Sequence, residues 1–325
     1  MNEISHLFAV GFWYAHAPTM LRLNNKILLC WHGKRLKTDY QDLFISEFKE
    51  GEWSKPRSIN LTSISTQFEN CWNPVLFKQA ESNDICLFFK TGSLGSWKGH
   101  ALLSRDDGET WSQPFALAGD SIGPTKNPPL ELDNGVVLMP SSRVLKHRTF
   151  VCFQRFNLKI GEIQEVSLDD KNNEALFVSQ PALIKLPDNS ILALCRSNSG
   201  FIFKTSSHNE GIDWLQLKKT ELLNPNSAIA TLTVEDGYYL AMNPSSRHRA
   251  YLWILFFPWK RVDDPLYLFQ LFDGGNQLSY PSLIALNERS LLISYSINQQ
   301  NIQVKQLNLS SPFDFTKNKH VHSRF

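Results

Sequence analysis

Ser104-Arg105-Asp106-Asp107-Gly108-Glu109-Thr110-Trp111 is the stretch that decides the fold. It fits the pattern Ser-x-Asp-x-Gly-x-x-Trp, and its chemistry is that of a tight hairpin. Ser and Asp side chains bond the loop's own backbone, Gly supplies positive φ, and Trp tucks under the turn. A looser copy runs Ser207-His208-Asn209-Glu210-Gly211-Ile212-Asp213-Trp214, and a decayed one is expected from Ser46 through Gly51 to Trp53. A calcium loop is the rival reading of Asp106 and Asp107, but it needs a later bidentate Glu that this stretch lacks. The boxes are therefore structural, with Trp111 expected to be buried.

Each box follows a Pro that opens a longer unit. A polar or aromatic residue precedes that Pro, and two short apolar strands joined by a turn follow it. The unit appears as His16-Ala17-Pro18 before Lys26–Trp31, as Trp72-Asn73-Pro74 before Ile85–Phe89, and as Lys126-Asn127-Pro128 before Val136–Met139. It returns as Gln180-Pro181 before Ile191–Cys195, without the Pro as Asn226-Ser227 before Tyr238–Met242, and as Tyr280-Pro281 before Leu291–Tyr295. Starts at 16, 72, 126, 180, 226 and 280 are spaced by 56, 54, 54, 46 and 54 residues. The boxes fall 30, 26 and 28 residues after Pro74, Pro181 and Pro18, where a third strand turns into a fourth. Asn24-Asn25, Asp133-Asn134-Gly135, Pro187-Asp188-Asn189 and Glu235-Asp236-Gly237 supply the hairpin turns. Six units with room for four strands each predict an all-β, six-bladed propeller of four-stranded antiparallel blades. The propeller is expected over residues 1–310, with a polar tail at 311–325. A strand near Leu7–Phe12 should close the ring beside Ile302–Leu307.

Composition agrees with sheet and removes several function classes. Aromatics reach 12% while charged residues are only 20%, which excludes wholesale disorder. The net charge of +2 and the lack of any run of five like charges leave no footprint for nucleic acid or a membrane surface. The longest apolar runs are too short for a membrane helix. The five cysteines are widely spaced with no Cys-x-x-Cys pair, so buried reduced thiols are expected, with no metal and no cofactor. Met1–His6 lacks a basic segment followed by an apolar core, so a cytoplasmic location is the default expectation, with leaderless export left open.

The boxes are those called Asp boxes, and the chain resembles the sialidase-like BNR/Asp-box repeat family over nearly its whole length. That resemblance implies a glycan as substrate or ligand and a site at the ring axis. Sialidases of the family clamp the sugar carboxylate with three arginines, and use a Tyr nucleophile supported by a Glu and an Asp as acid/base. The Tyr avoids the repulsion an anionic nucleophile would suffer from an anionic sugar. By the same resemblance the nucleophile is Tyr280, the acid Asp39, and two of the arginines Arg196 and Arg249, with Arg247 the alternate for the latter. Two positions depart from the family pattern. His16 stands where the first arginine is expected, and Gln180 where the supporting Glu is expected. Gln cannot take the tyrosyl proton, and His offers no permanent planar fork. An ordinary sialidase is therefore not expected.

By position in the repeat alone, Trp72, Asn73, Lys126, Asn127, Asn224 and Asn226 should face the axis, joined by Lys90, Trp97 and Asn243 from nearby loops. Aromatics stack on sugar faces and amides bond hydroxyls, so this set suits a polar ring with a charged substituent. The leading expectation is a glycoside hydrolase acting on an acidic sugar. Its rivals are a lyase on uronate polysaccharide using His16 and Tyr280, and a glycan-binding propeller without catalysis. The residues leave the sugar, the linkage and the oligomeric state open.

Overall fold

The computed structural model describes residues 4–8, 11–36, 38–68, 70–80, 82–93, 95–133, 135–145, 148–157, 162–168, 176–261 and 264–309. The expected polar tail, Asn134 of the Asp133–Gly135 hairpin turn and Lys37 beside the Asp39 loop lie outside them.

Six antiparallel sheets follow one another along the chain. Blade one holds Phe12–Arg22, Ile27–Arg35 and Asp42–Lys49, edged by the short pieces Glu52–Trp53 and Arg57–Ser58. Blade two runs from Trp72–Lys78 to Phe115–Ala116, blade three from Leu130–Glu131 to Glu162–Leu168, and blade four from Val178–Lys185 to Lys218–Leu223. Blade five runs from Ala230–Val234 to Leu266–Phe272. Blade six takes Leu278–Asn287, Ser290–Ile297 and Asn301–Asn308 and is completed by Ser5–Phe8, which pairs Phe8 with Ile302 and Ser5 with Lys305. Of the expected closing stretch, Leu7 and Phe8 pair in blade six, Ala9 and Val10 lie outside the described residues, and Phe12 belongs to blade one. Helix among the described residues is limited to three 3-10 turns, Leu61–Ser63, Thr66–Phe68 and Trp259–Arg261.

Blades pack face to face, so their middle strands are buried on both sides and read as continuous apolar runs. Cys30, Leu43 and Ile45 of blade one meet Leu76, Leu87 and Phe89 of blade two in one such seam. The five cysteines are free, four of them buried and Cys86 half-buried.

The two complete boxes have the same internal bonding. Ser104 Oγ accepts from Gly108 N at 2.8 Å, and Asp106 Oδ1 accepts from Thr110 N at 2.9 Å. Ser207 Oγ accepts from Gly211 N at 2.9 Å, and Asn209 Oδ1 from Asp213 N at 2.9 Å. Thr110 and Ser104 hold the exposed Asp106 carboxyl down to about 2. Gly108 and Gly211 need glycine twice over: φ is 86° and 77°, and a Cβ would strike Leu28 or Leu138 of the preceding blade. In blade one the copy has decayed to a plain hairpin, where Ser46 Oγ bonds Ser54 O instead of a loop amide.

Trp111 is half-buried against the seam between blades one and two, less than the pattern led us to expect. Trp214 is the better anchor: its ring stacks on Phe153 of blade three at 3.6 Å, and Nε1 donates to Gly211 O. Trp214→Ala should cost about 3–5 kcal/mol and Trp111→Ala about 1–3 kcal/mol in urea unfolding. Costs below about 0.5 kcal/mol at both, typical of free surface positions, would remove the boxes from the stability of the ring.

Candidate functional site

The residue just before or at the blade-opening Pro sits on a bulge. In blade one His16 pairs with His32 and Thr19 with Cys30, so one residue is extra on the first strand. The same slip separates Trp72 from Val75, Ser179 from Ala182, and Ser279 from Ser282. At each slip a non-glycine residue takes positive φ: Ala17 at 52°, Asn73 at 42°, Gln180 at 51° and Tyr280 at 56°. Asn226 repeats this at 53° in blade five. Such conformations cost on the order of 1–2 kcal/mol each and survive where neighbours hold them. Here the preceding blade does so. Ala17 N donates to Ser296 Oγ, Asn73 N to His32 Nδ1, and Gln180 N to Ser142 Oγ.

Bulges turn their side chains together at the axis. Tyr280 Oη accepts from Gln180 Nε2 at 3.3 Å and from Arg196 Nη1 at 3.5 Å. Arg196 Nη1 and Arg249 Nη2 both donate to the carbonyl oxygen of Asn226, at 3.1 and 2.9 Å. Two guanidinium groups are thereby held side by side without a carboxylate partner among the described residues. The His16 ring lies 4.1 Å from that of Tyr280, and its Nδ1 is buried without a partner. Ala17 and Ala228 pack beside Tyr280, their small size leaving room for the phenol.

Electrostatics follow from this packing. Burial pushes the Tyr280 phenol up, yet Arg196, the Gln180 amide and Arg249 together outweigh it and hold the group below its ordinary value. Burial, with His32, Arg249 and Arg196 adding to it, keeps His16 well below the usual imidazole range, so its ring is neutral. Burial also lowers His32, to about 3.

The polar residues expected at the mouth divide in two. Several brace the backbone. Lys90 Nζ, fully buried, donates to Asn73 O and Pro124 O; Lys126 Nζ donates to Asn127 Oδ1, Ile229 O and Pro281 O. The Asn73, Asn127 and Asn243 amides likewise reach backbone carbonyls of neighbouring blades. Asn224 is buried and its Oδ1 accepts from Ser227 N. Trp72 and Trp97 are half-buried 6.4 Å apart, on the blade-two side of the cluster. Two of the expected residues are exposed. Asp39 is exposed in the loop after Ile27–Arg35, with no hydrogen bond or ion pair to the cluster among the described residues, and Arg247 is exposed beside its backbone partner Ser245.

Sequence reasoning missed Tyr14 and His32. Tyr14 Oη bonds His32 Nε2 at 3.2 Å, with the two rings stacked 5.5 Å apart. The repeat carried a signal for His32, which lies five residues after Ile27 just as Lys90 follows Ile85 and Arg196 follows Ile191. Tyr14 is two residues before His16 on one strand and so shares its face.

Burial lowers both Lys90 and Lys126 to about 7, Arg196 adding to the effect at Lys126. Between about pH 7 and the ordinary lysine value of 10.5 the unfolded chain binds more protons, so stability rises with pH there. The slope reaches about 1.4 kcal/mol per pH unit for each lysine. His16 and His32 act with the same sign below 6.5, where the unfolded imidazoles charge first. The buried thiols reverse the trend: unfolded Cys ionises near 9.0 while burial keeps Cys30, Cys71 and Cys195 protonated. Calorimetry should find the highest melting temperature near pH 9, and a flat profile from pH 7 to 9 would contradict the buried lysines.

A family model described as a BNR repeat-like domain matches residues 26–293, well over half of the chain. No curated protein matches the sequence significantly. Among solved structures, a protein of unknown function from Dyadobacter fermentans superposes with a TM-score of 0.75 at 15% identity, covering 95% of this chain and 99% of its own. The NanB sialidase of Streptococcus pneumoniae gives 0.72 at 10% identity, covering 94% and 71%. The intramolecular trans-sialidase of Ruminococcus gnavus, solved with oseltamivir carboxylate, gives 0.70 at 12% identity, covering 94% and 97%. Identities this low speak for a common ring and not for a common reaction.

Proposed function

This chain belongs to the BNR repeat-like domain family, and from that premise we propose that it is a carbohydrate-active enzyme that hydrolyses the glycosidic bond of an anionic sugar at the ring axis. The observation that carries the reading is the Tyr280 oxygen, held by Gln180 Nε2 and Arg196 Nη1 beside a second guanidinium, Arg249. The sugar carboxylate faces Arg196 and Arg249, which no protein carboxylate neutralises among the described residues. Tyr280 attacks the anomeric carbon, and its proton passes to the neutral His16 ring. The two guanidinium groups stabilise the phenolate character that develops on the way.

Solved sialidases and a trans-sialidase with the same ring support a glycan in this pocket. Gln180 and His16, in place of the family's Glu and Arg, favour an acidic sugar other than that of a standard sialoside. The test is incubation with a panel of sialosides and uronate-containing oligosaccharides, read by mass spectrometry. Uptake of one water per cleavage is the expected result. An unsaturated product absorbing in the ultraviolet would mean elimination instead, and binding without cleavage would leave a lectin.

A further inference from the structure

Hydrolysis as proposed above needs a proton for the leaving oxygen, and Asp39, the sequence candidate for that acid, is exposed and makes no hydrogen bond to the cluster among the described residues. Tyr14 is a second phenol beside His16. Its ring lies 5.9 Å from His16, which in turn lies 4.1 Å from Tyr280, and it is half-buried at the same face. The backbone decides which way its hydrogen points. Asn73 N–H donates to His32 Nδ1 at 2.8 Å, so that nitrogen carries a lone pair and the His32 proton sits on Nε2. Nε2–H then donates to Tyr14 Oη, 3.2 Å away. A phenol oxygen that accepts from His32 keeps its own O–H free to donate into the site.

We infer that Tyr14 is the proton donor to the leaving-group oxygen, aimed by His32, whose tautomer is set by the Asn73 backbone N–H. The inference rests on the hydrolytic reading. As Tyr280 Oη bonds to the anomeric carbon, the bond from that carbon to the leaving oxygen breaks, and the Tyr14 proton moves to that oxygen. The Tyr14 phenolate next takes a proton from the water that attacks the glycosyl–Tyr280 bond, and Tyr280 regains its own proton from His16. Water is consumed and both side chains end as they began. Burial and the nearby Tyr280 push the Tyr14 phenol above its ordinary value, so it is protonated whenever substrate arrives. The His32 Nε2–H bond lowers the cost of the transient phenolate.

Tyr14→Phe keeps the ring on His32 and removes only the hydroxyl. Its turnover should be compared on two probes: the acidic oligosaccharide that the wild type cleaves, and the 4-nitrophenyl glycoside of the same acidic sugar. Loss should reach about 10²–10⁴-fold on the oligosaccharide. It should stay within about one order of magnitude on the nitrophenyl probe, because nitrophenolate departs without a proton. Equal losses on both probes, or none on the oligosaccharide, would overturn the role of Tyr14 while leaving hydrolysis standing. Absence of wild-type cleavage on every acidic glycan would remove the hydrolytic reading and this role with it. Nitrogen NMR of labelled histidine gives a readout free of substrate. His32 should appear as the neutral Nε2–H form, and an Nδ1–H form would overturn the aiming of Tyr14.

Discussion

Tyr280→Phe should lower cleavage of the acidic glycan by on the order of 10³-fold or more, about 4 kcal/mol in the barrier. The change removes the one oxygen that both Gln180 Nε2 and Arg196 Nη1 address. Folding should be nearly untouched, because the ring keeps its place against Ala17 and Ala228 and only a buried hydroxyl is lost, worth about 1 kcal/mol. Substrate binding should also persist, since Arg196 and Arg249 stay anchored on Asn226 O. A large fall in kcat with KM little changed is the signature of an interaction made in the transition state. Turnover within tenfold of wild type would show that the bond is broken without Tyr280, and the axial reaction would need another nucleophile.

Gln180→Glu combined with His16→Arg should raise any trace cleavage of sialosides by about 10²–10⁴-fold. Gln180 Nε2 lies 3.3 Å from the Tyr280 oxygen, and its Oε1 is buried without a partner. A carboxylate in that position can take the tyrosyl proton directly, which the amide cannot. The two substitutions should also help each other. His16→Arg alone adds a third cation beside Arg196 and Arg249, where burial, with neighbouring cations adding to it, already lowers Arg249 and His16. The carboxylate introduced by Gln180→Glu offsets that charge, so the double variant should melt above the His16→Arg single variant. Release of methylumbelliferone from a sialoside measures the first effect and thermal unfolding the second. A double variant that remains inert, while the wild type cleaves another acidic sugar, would assign Gln180 and His16 to that other chemistry as residues in their own right.

Architecture was legible in the residues because its signals are local. A box turn is written in eight consecutive positions, as Ser104, Asp106, Gly108 and Thr110 show by bonding one another within the loop. Strand pairs announce themselves through apolar runs and turn residues a few positions apart, and their recurrence counts the blades. Tyr280, Gln180, Arg196 and His16 could be nominated because the resemblance to sialidases matches a family motif to each at a strand opening or end. Their roles could not be told from those of Lys90, Lys126, Asn127 and Asn243, which occupy similar positions and yet brace carbonyls of neighbouring blades.

That division depends on distances across a closed ring. Gln180 and Tyr280 are 100 residues apart when their side chains meet, and Lys126 reaches Ile229 and Pro281 from blade three. It depends as well on one extra residue and one positive φ at the openings of blades one, two, four and six, which swing neighbouring side chains to different sides. The repeat, the box turns, the six blades and the strand that closes them are written in the chain itself, since they follow from short-range hydrogen bonding and burial. Packing across the ring, by contrast, made two lysines buried braces and brought Tyr14 and His32 into the cluster. A side chain's task at the axis is set by the blades beside and across from it, and no local pattern encodes them.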